Sequence, residues 1–139
     1  MSTEIIRDGE TRLAIYYPAS ADKKGLSFIT EDKDLIQAGC WSYGRGTRLQ
    51  PHIHNLMPRQ ATKTQEALLI KSGRLAAYIF NEDLKLIRRL ELGAGDLLVL
   101  LNGGHGYEIL EDDTLVFEFK NGPYPGAEAD RSRFQWPKI

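Results

Sequence analysis

The sequence predicts an all-β protein, a two-sheet sandwich or barrel of the jelly-roll type. Short runs rich in Val, Ile, Leu, Tyr and Phe recur along the chain, and turn-forming residues close each of them. Helical patterning is confined to two short stretches near the termini, 31–38 and 127–134. A barrel or a pair of facing sheets suits such strands because this packing protects the sheet edges.

Two strands are expected in the first part of the chain. The first covers residues 12–18, where an apolar run ends at a proline. The second is a long strand over 39–54, in which Gly44 and Gly46 occupy positions of the kind that mark a bulge or a bend. This second strand carries two of the three histidines, so its register matters for function.

The later part of the chain predicts five or six more strands with short connections. Their boundaries follow Ser-Gly, Asn-Glu-Asp and glycine-rich turns, and they divide into 66–92 (three strands), 93–110 (two strands) and 111–120 (one strand). We therefore expect a single domain over residues 1–139, with a barrel core at about 39–120 and a C-terminal arm over 121–139.

Composition narrows the classes of function. The chain has 139 residues, 42% of them hydrophobic and 27% charged, which is typical of one globular domain. A formal net charge of −1 argues against nucleic-acid or membrane-surface partners, which require a clustered positive field. Cys40 is the only cysteine, so an internal disulfide is excluded. We expect a cytoplasmic protein without a secretory signal.

The histidines are spaced for a common face. Because side chains alternate along a strand, Arg48, Gln50, His52 and His54 point one way, and Leu49, Pro51 and Ile53 point the other. The polar face is either solvated or lines a cavity, and the His-x-His pair suits a metal site, a catalytic pair or a polar corner. These alternatives stay open on spacing alone.

Two motifs resemble those of the cupin family. The first motif matches in its Gly, its His-x-His and its Glu-(six residues)-Gly, at Gly46, His52, His54, Glu66 and Gly73. The second runs from Gly95 and ends in a further histidine, His105. All three histidines of the chain thus fall at the histidine positions of the family pattern, over about residues 39–120.

The resemblance implies a double-stranded β-helix barrel that holds a divalent transition metal through His52, His54, Glu66 and His105. Imidazole and carboxylate ligands suit Zn, Fe, Mn, Ni or Co without selecting among them. We expect Tyr107 and Gln50 to orient a small-molecule substrate. Because cupin barrels commonly pair, the resemblance, together with the apolar runs at both ends of the chain, also implies a homodimer.

The chain departs from the family pattern at two places. Residues 55–65 separate the His-x-His from Glu66, where the family has only a few residues, and this stretch is interpreted as an inserted loop over the barrel mouth. If the register slips by one, Gln65 competes with Glu66 but is expected to point outward. The second motif has Leu101 in place of its proline and is one residue short before His105.

Three functions follow as expectations. The first is a metal-dependent cupin enzyme acting on a small polar substrate such as a sugar, of the isomerase, epimerase or dioxygenase type, with Arg48 binding an anionic part of it. The second is a metal-independent nucleotide-sugar ketoisomerase or epimerase that uses histidine as acid and base. The third is a non-catalytic module that binds a sugar or a metal complex.

Overall fold

The computed structural model describes residues 2–21 and 24–138. Its elements are ten strands and one helical turn in the described residues: β1 (Glu4–Asp8), β2 (Thr11–Tyr17), β3 (Gly25–Phe28), β4 (Gly39–Ser42), β5 (Glu66–Ser72), β6 (Arg74–Phe80), β7 (Leu86–Gly93), β8 (Leu97–Leu100), β9 (Gly104–Ile109), β10 (Leu115–Lys120) and α1 (Ala127–Asp130). They form three antiparallel sheets with the orders β1-β2-β8-β5-β10, β7-β6-β9 and β3-β4.

The main core is built from both larger sheets. Alternate residues of β5 and β6 contribute to one buried cluster, among them Leu68, Ile70, Leu75 and Ile79. This follows from the period of two in a strand, which sends every second side chain to the same face. Burial of these apolar side chains is the main term that stabilises the fold.

A second apolar cluster lies on the opposite face of the five-stranded sheet. Ala67 and Val99, from β5 and β8, pack there against Ile36 and its neighbours. Residues 29–38, which we call the cover segment, therefore shield this face from water. Strands β5 and β8 are apolar on both faces because both faces are covered.

The C-terminal arm covers the three-stranded sheet. Trp136 packs edge-on against Tyr78 with ring centroids 5.0 Å apart, and Phe134 packs in the same way against Phe80. The Tyr78 and Phe80 side chains are buried, although they project from the face of β6 opposite the main core. The arm is thus a third packing layer.

The predicted strands from residue 66 onward are confirmed, but two local predictions were wrong. The long strand expected over 39–54 ends at Ser42, and residues 43–64, which we call the extended segment, contain no strand and are exposed throughout. The helix expected over 31–38 consists of turns and bends instead. The cause is non-local, because the Asp34 carboxylate binds Arg12 and the Leu35 and Ile36 amides donate to Gln65 instead of to carbonyls within a helix.

Three further features differ from expectation. The helix predicted for 127–134 is a single turn over Ala127–Asp130, and strands β1 and β3 were not predicted. The sheets of the described residues do not join into a closed barrel, because β9 pairs only with β6 and β10 pairs only with β5. Both strands are therefore sheet edges in the described part of the chain.

Helices long and apolar enough to cross a membrane do not occur among residues 2–21 and 24–138.

Candidate functional site

The candidate site lies at one end of the space between the two larger sheets. Glu66 is the first residue of β5, and it pairs in register with Lys120 at the end of β10 and with Leu100 at the end of β8. Its side chain shares a face with Leu68, which belongs to the main core. The carboxylate is therefore buried at the rim of the core, with only 7% of the side chain exposed.

Strand β9 brings two further side chains to the same place. His105 and Tyr107 are two residues apart and share the inner face, where Tyr107 packs against the main core. The glycine between them, Gly106, allows the C-terminal arm to approach from the other face. A Cβ at Gly106 would lie 2.9 Å from the ring of Trp136, which is too close for a larger residue.

The carboxylate of Glu66 is the centre of the hydrogen-bond network. One oxygen, Oε1, accepts a bond from the Tyr107 hydroxyl at 3.0 Å and lies 2.8 Å from His105 Nε2. The other oxygen, Oε2, lies 3.6 Å from the Lys120 ammonium. Three donors from two different sheets thus converge on a single buried acid.

This network shifts two pKa values. Burial by itself would raise the pKa of Glu66, but the hydrogen bond and charge of His105, the Tyr107 hydroxyl and the Lys120 ammonium outweigh it and lower that pKa to about 2. Burial, together with the negative charge of Glu66 and the hydrogen bond to it, raises the pKa of Tyr107. At neutral pH the site therefore holds a carboxylate and a neutral phenol.

A cleft of 780 Å³ opens beside this network. His105 is at its wall and remains 33% exposed, so its ring is accessible to a bound molecule. The lining includes charged side chains of both signs: Lys63, Glu66, Glu82, Glu118, Lys120, Asp130, Arg131 and Arg133. Such a lining suits a small, polar ligand that carries several hydrogen-bonding groups.

The predicted site residues divide into two groups. Glu66, His105 and Tyr107 come together in the cleft. The remaining four, which are Arg48, Gln50, His52 and His54, lie on the extended segment and do not line the cleft. His52 and His54 face each other with ring centroids 5.1 Å apart, and His52 Nδ1 lies 3.1 Å from the carbonyl oxygen of Gln50.

A four-ligand metal site is not assembled by the described residues of one chain. Among them, no group of three or more His, Cys, Asp or Glu side chains is arranged to hold a metal ion. Glu66 and His105 alone supply one oxygen and one nitrogen donor, and they already bond to each other. Of the four ligands that the sequence pattern implies, the described residues of a single chain therefore bring only Glu66 and His105 into contact.

Gln65 has a different role from the one expected. Its side chain does turn away from the face of Glu66, but it is buried rather than directed outward, with 3% of its surface exposed. Its Oε1 accepts bonds from the Leu35 and Ile36 amides, and its Nε2 donates to the Leu101 carbonyl. Gln65 therefore anchors the cover segment.

Two parts of the cleft were missed from the sequence. Lys120 shares the inner face of β10 with Glu118, and the alternation of FEFK at the end of that strand was the available signal. Arg131 and Arg133 reach the cleft from the C-terminal arm. No local pattern reveals them, because their position depends on how the arm returns across the sheet.

Comparison of the chain with protein-family models, with curated proteins and with solved structures finds no match.

Proposed function

We propose that this chain is an acid–base enzyme that acts on a small polar molecule, such as a sugar or sugar derivative, bound in the cleft. The observation that carries the proposal is the Glu66–His105 pair, 2.8 Å apart, at the wall of a polar cleft. A buried carboxylate that orients a partly exposed imidazole is a recurrent arrangement for proton transfer. The cupin-like motifs and the two facing sheets support a double-stranded β-helix framework for this site.

The roles follow from the contacts. With Nε2–H donating to Glu66, the second ring nitrogen of His105, Nδ1, is left for the substrate. His105 removes a proton from a carbon next to a carbonyl group. Its return to the former carbonyl carbon, while a hydroxyl proton moves to the other oxygen, gives an isomerisation, and return of a proton to the same carbon from the opposite face gives an epimerisation. The reaction is then an isomerisation or epimerisation, in which no co-reactant is consumed.

Tyr107 and Lys120 serve as positioning residues in this mechanism. The Tyr107 hydroxyl is engaged by Glu66 rather than left free for the substrate. Together with Lys120 it keeps Glu66 ionised, so that the carboxylate stabilises the imidazolium that forms when His105 accepts a proton. The cationic groups of Arg131 and Arg133 in the lining favour a substrate with an anionic part.

A metal-dependent reaction is the second candidate. It is favoured because two of its four ligands, Glu66 and His105, are in contact, while the other two, His52 and His54, are adjacent on the extended segment. A divalent metal held by all four would supply Lewis-acid chemistry. This candidate requires His52 and His54 to reach a cleft, and within the described residues of one chain they do not line it.

A screen of nucleotide sugars, by thermal shift and by product analysis, tests the proposal. For the acid–base enzyme, turnover survives EDTA, and His105→Ala lowers kcat by about 10²–10⁴-fold. His54→Ala is the matched control and keeps turnover in EDTA. Loss of turnover with EDTA, together with loss of bound metal in His54→Ala, identifies the second candidate instead. Ligand binding without any product contradicts both and indicates a binding module.

A further inference from the structure

The extended segment is an unusual surface for an isolated chain. Every residue from 43 to 64 is exposed, including large apolar side chains such as Ile53 at 89% and Leu56 at 104%. Four large apolar side chains, Leu49, Ile53, Leu56 and Met57, are exposed within this short stretch, and such a concentration is typical of an interaction site. The segment also contains four basic residues, Arg45, Arg48, Arg59 and Lys63, and no acidic residue.

Strand β9 offers a complementary edge. Leu110 N–H donates to the Arg74 carbonyl, so the ladder pairs Glu108 with Ala76 and Gly106 with Tyr78 through hydrogen bonds. The alternation of an antiparallel ladder then directs the amides of His105, Tyr107 and Ile109 away from β6, towards the open edge. An edge of this kind is a template for a further strand.

Charge complements this edge. Residues 104–119, which include β9, the following turn and most of β10, contain five acidic residues and no lysine or arginine: Glu108, Glu111, Asp112, Asp113 and Glu118. The extended segment has the opposite charge over a similar length. Opposite charges of this kind steer two surfaces together and fix which partner is accepted.

We infer that two copies of this chain exchange their extended segments, each adding a strand to the open edge of β9 in the other copy. A reciprocal exchange covers both edges and closes the assembly as a dimer with twofold symmetry. Only the end of the segment, residues 62–64, lines the cleft of its own chain, whereas the stretch that carries His52 and His54 does not, so the edge that this stretch satisfies belongs to a second copy. The backbone edge, the charge and the exposed apolar residues all fit this one occupant.

Pro51 selects the register. An added antiparallel strand bonds to the edge through every second residue, and proline has no N–H to donate. The bonding residues are therefore Gln50, His52 and His54, while the position of Pro51 faces away from β9. In an antiparallel pair, the side chains of directly opposed residues lie on the same face of the sheet. His52 and His54 therefore project to the face that carries the partner's His105, which is the face of the partner's cleft.

This exchange deepens the proposed function, since it closes each cleft with residues of the other copy. It places the histidine pair where the metal-dependent candidate needs it, and it places Arg48 on the cleft side for an anionic substrate. That consequence rests on the proposed function. The exchange itself does not, because it is read from the backbone edge and the charge.

The test uses the whole 139-residue chain in EDTA without substrate, so it is independent of catalysis. Light scattering after gel filtration is expected to give a dimer. His54→Pro is expected to raise the dimer dissociation constant about thirtyfold, because each dimer loses one ladder bond at both exchange sites. His54→Ala keeps the N–H and Ile53→Pro removes an N–H that faces away, so both remain dimeric.

Amide hydrogen exchange locates the interface. The amides of His105, Tyr107 and Ile109 are expected to be protected in the wild-type dimer and to lose protection in His54→Pro. A monomeric wild-type chain overturns the inference, and so does a dimer in which these three amides exchange equally fast in both proteins. An intact exchange without turnover of any substrate contradicts the proposed function alone.

Discussion

The segments on the two sides of β4 differ in what holds them. The cover segment lacks regular structure, yet Arg12, Gln65 and the apolar face of the five-stranded sheet fix it in place. The extended segment is similar in its lack of regular structure, but it is exposed along its whole length. The end of the extended segment is held by its own chain, because Lys63 bonds to Asn102 and Thr64 bonds to Asp130. The stretch before that end is the part to which the proposed exchange gives a partner.

The largest effect is expected from the ion pair that anchors the cover segment. Arg12 and Asp34 form a two-pronged contact, with Nη1–Oδ1 and Nη2–Oδ2 distances of 3.1 and 2.9 Å, and both side chains are at most 10% exposed. Arg12→Ala leaves the Asp34 carboxylate buried without its partner and is expected to lower the free energy of unfolding by about 3–5 kcal/mol. Urea denaturation measures this change.

Arg7→Ala is the matched control for Arg12→Ala. Arg7 also lies in the N-terminal hairpin, but its guanidinium is exposed and makes only a long contact with the Glu10 carbonyl. We expect a change of less than about 0.5 kcal/mol. Equal effects of the two substitutions would show that the ion pair does not hold the cover segment.

A smaller effect is expected from Gln65. Gln65→Ala leaves the buried amides of Leu35 and Ile36 without an acceptor, which is expected to cost about 1–3 kcal/mol. Because the Gln65 side chain points away from the cleft, substrate turnover per folded molecule is expected to stay unchanged. Urea denaturation and an activity assay below the unfolding transition measure both quantities, and a large loss of turnover would contradict the separation of Gln65 from Glu66.

Much of the fold was predictable from residue 66 onward, because turn residues and alternation are local signals there. The approach of Glu66, His105 and Tyr107 also followed from strand periodicity and from the family pattern. The cover segment was not predictable, since its conformation depends on Arg12 and Gln65, which are distant in sequence. The strand expected over 39–54 has the right pattern, but a strand forms only against an available edge.

Lowering the pH is expected to lower the free energy of unfolding through the buried carboxylates of Glu66 and Asp34. The folded pKa of Glu66 lies below its value in the unfolded chain, so this carboxylate contributes stability that is fully present above the ordinary pKa of 4.5 and is lost as the pH falls towards about 2. Asp34 behaves in the same direction: burial would raise its pKa, but the bond to Arg12 outweighs burial and lowers it. The extended segment has no carboxylate.

Unfolding by urea between pH 7 and pH 3 measures this dependence. The Glu66→Gln variant is expected to show a shallower loss of stability below pH 4.5 than the wild type, because it no longer has the carboxylate that must be protonated. Identical slopes for the two proteins would contradict the assignment of a lowered pKa to Glu66.

The smallest change in the free energy of unfolding is expected for a substitution in the extended segment. This change shows whether an apolar residue of the segment stabilises the single chain. On the His54→Pro background, which favours the monomer, Leu56→Ser is expected to change the free energy of unfolding by less than about 0.5 kcal/mol, since Leu56 is fully exposed. Ile36→Ser in the cover segment is the matched substitution. It is expected to cost at least about 2 kcal/mol, because Ile36 is buried in the second apolar cluster.

Urea denaturation of both double variants at low protein concentration compares these two apolar residues directly. A cost for Leu56→Ser close to that of Ile36→Ser would mean that the extended segment packs on its own chain, and the exchange would then lose its basis. A cost near zero means that the apolar side chains of this segment add nothing to the monomer. Under the proposed exchange, their contribution arises between copies, at the edge that the amides of His105 and Tyr107 face.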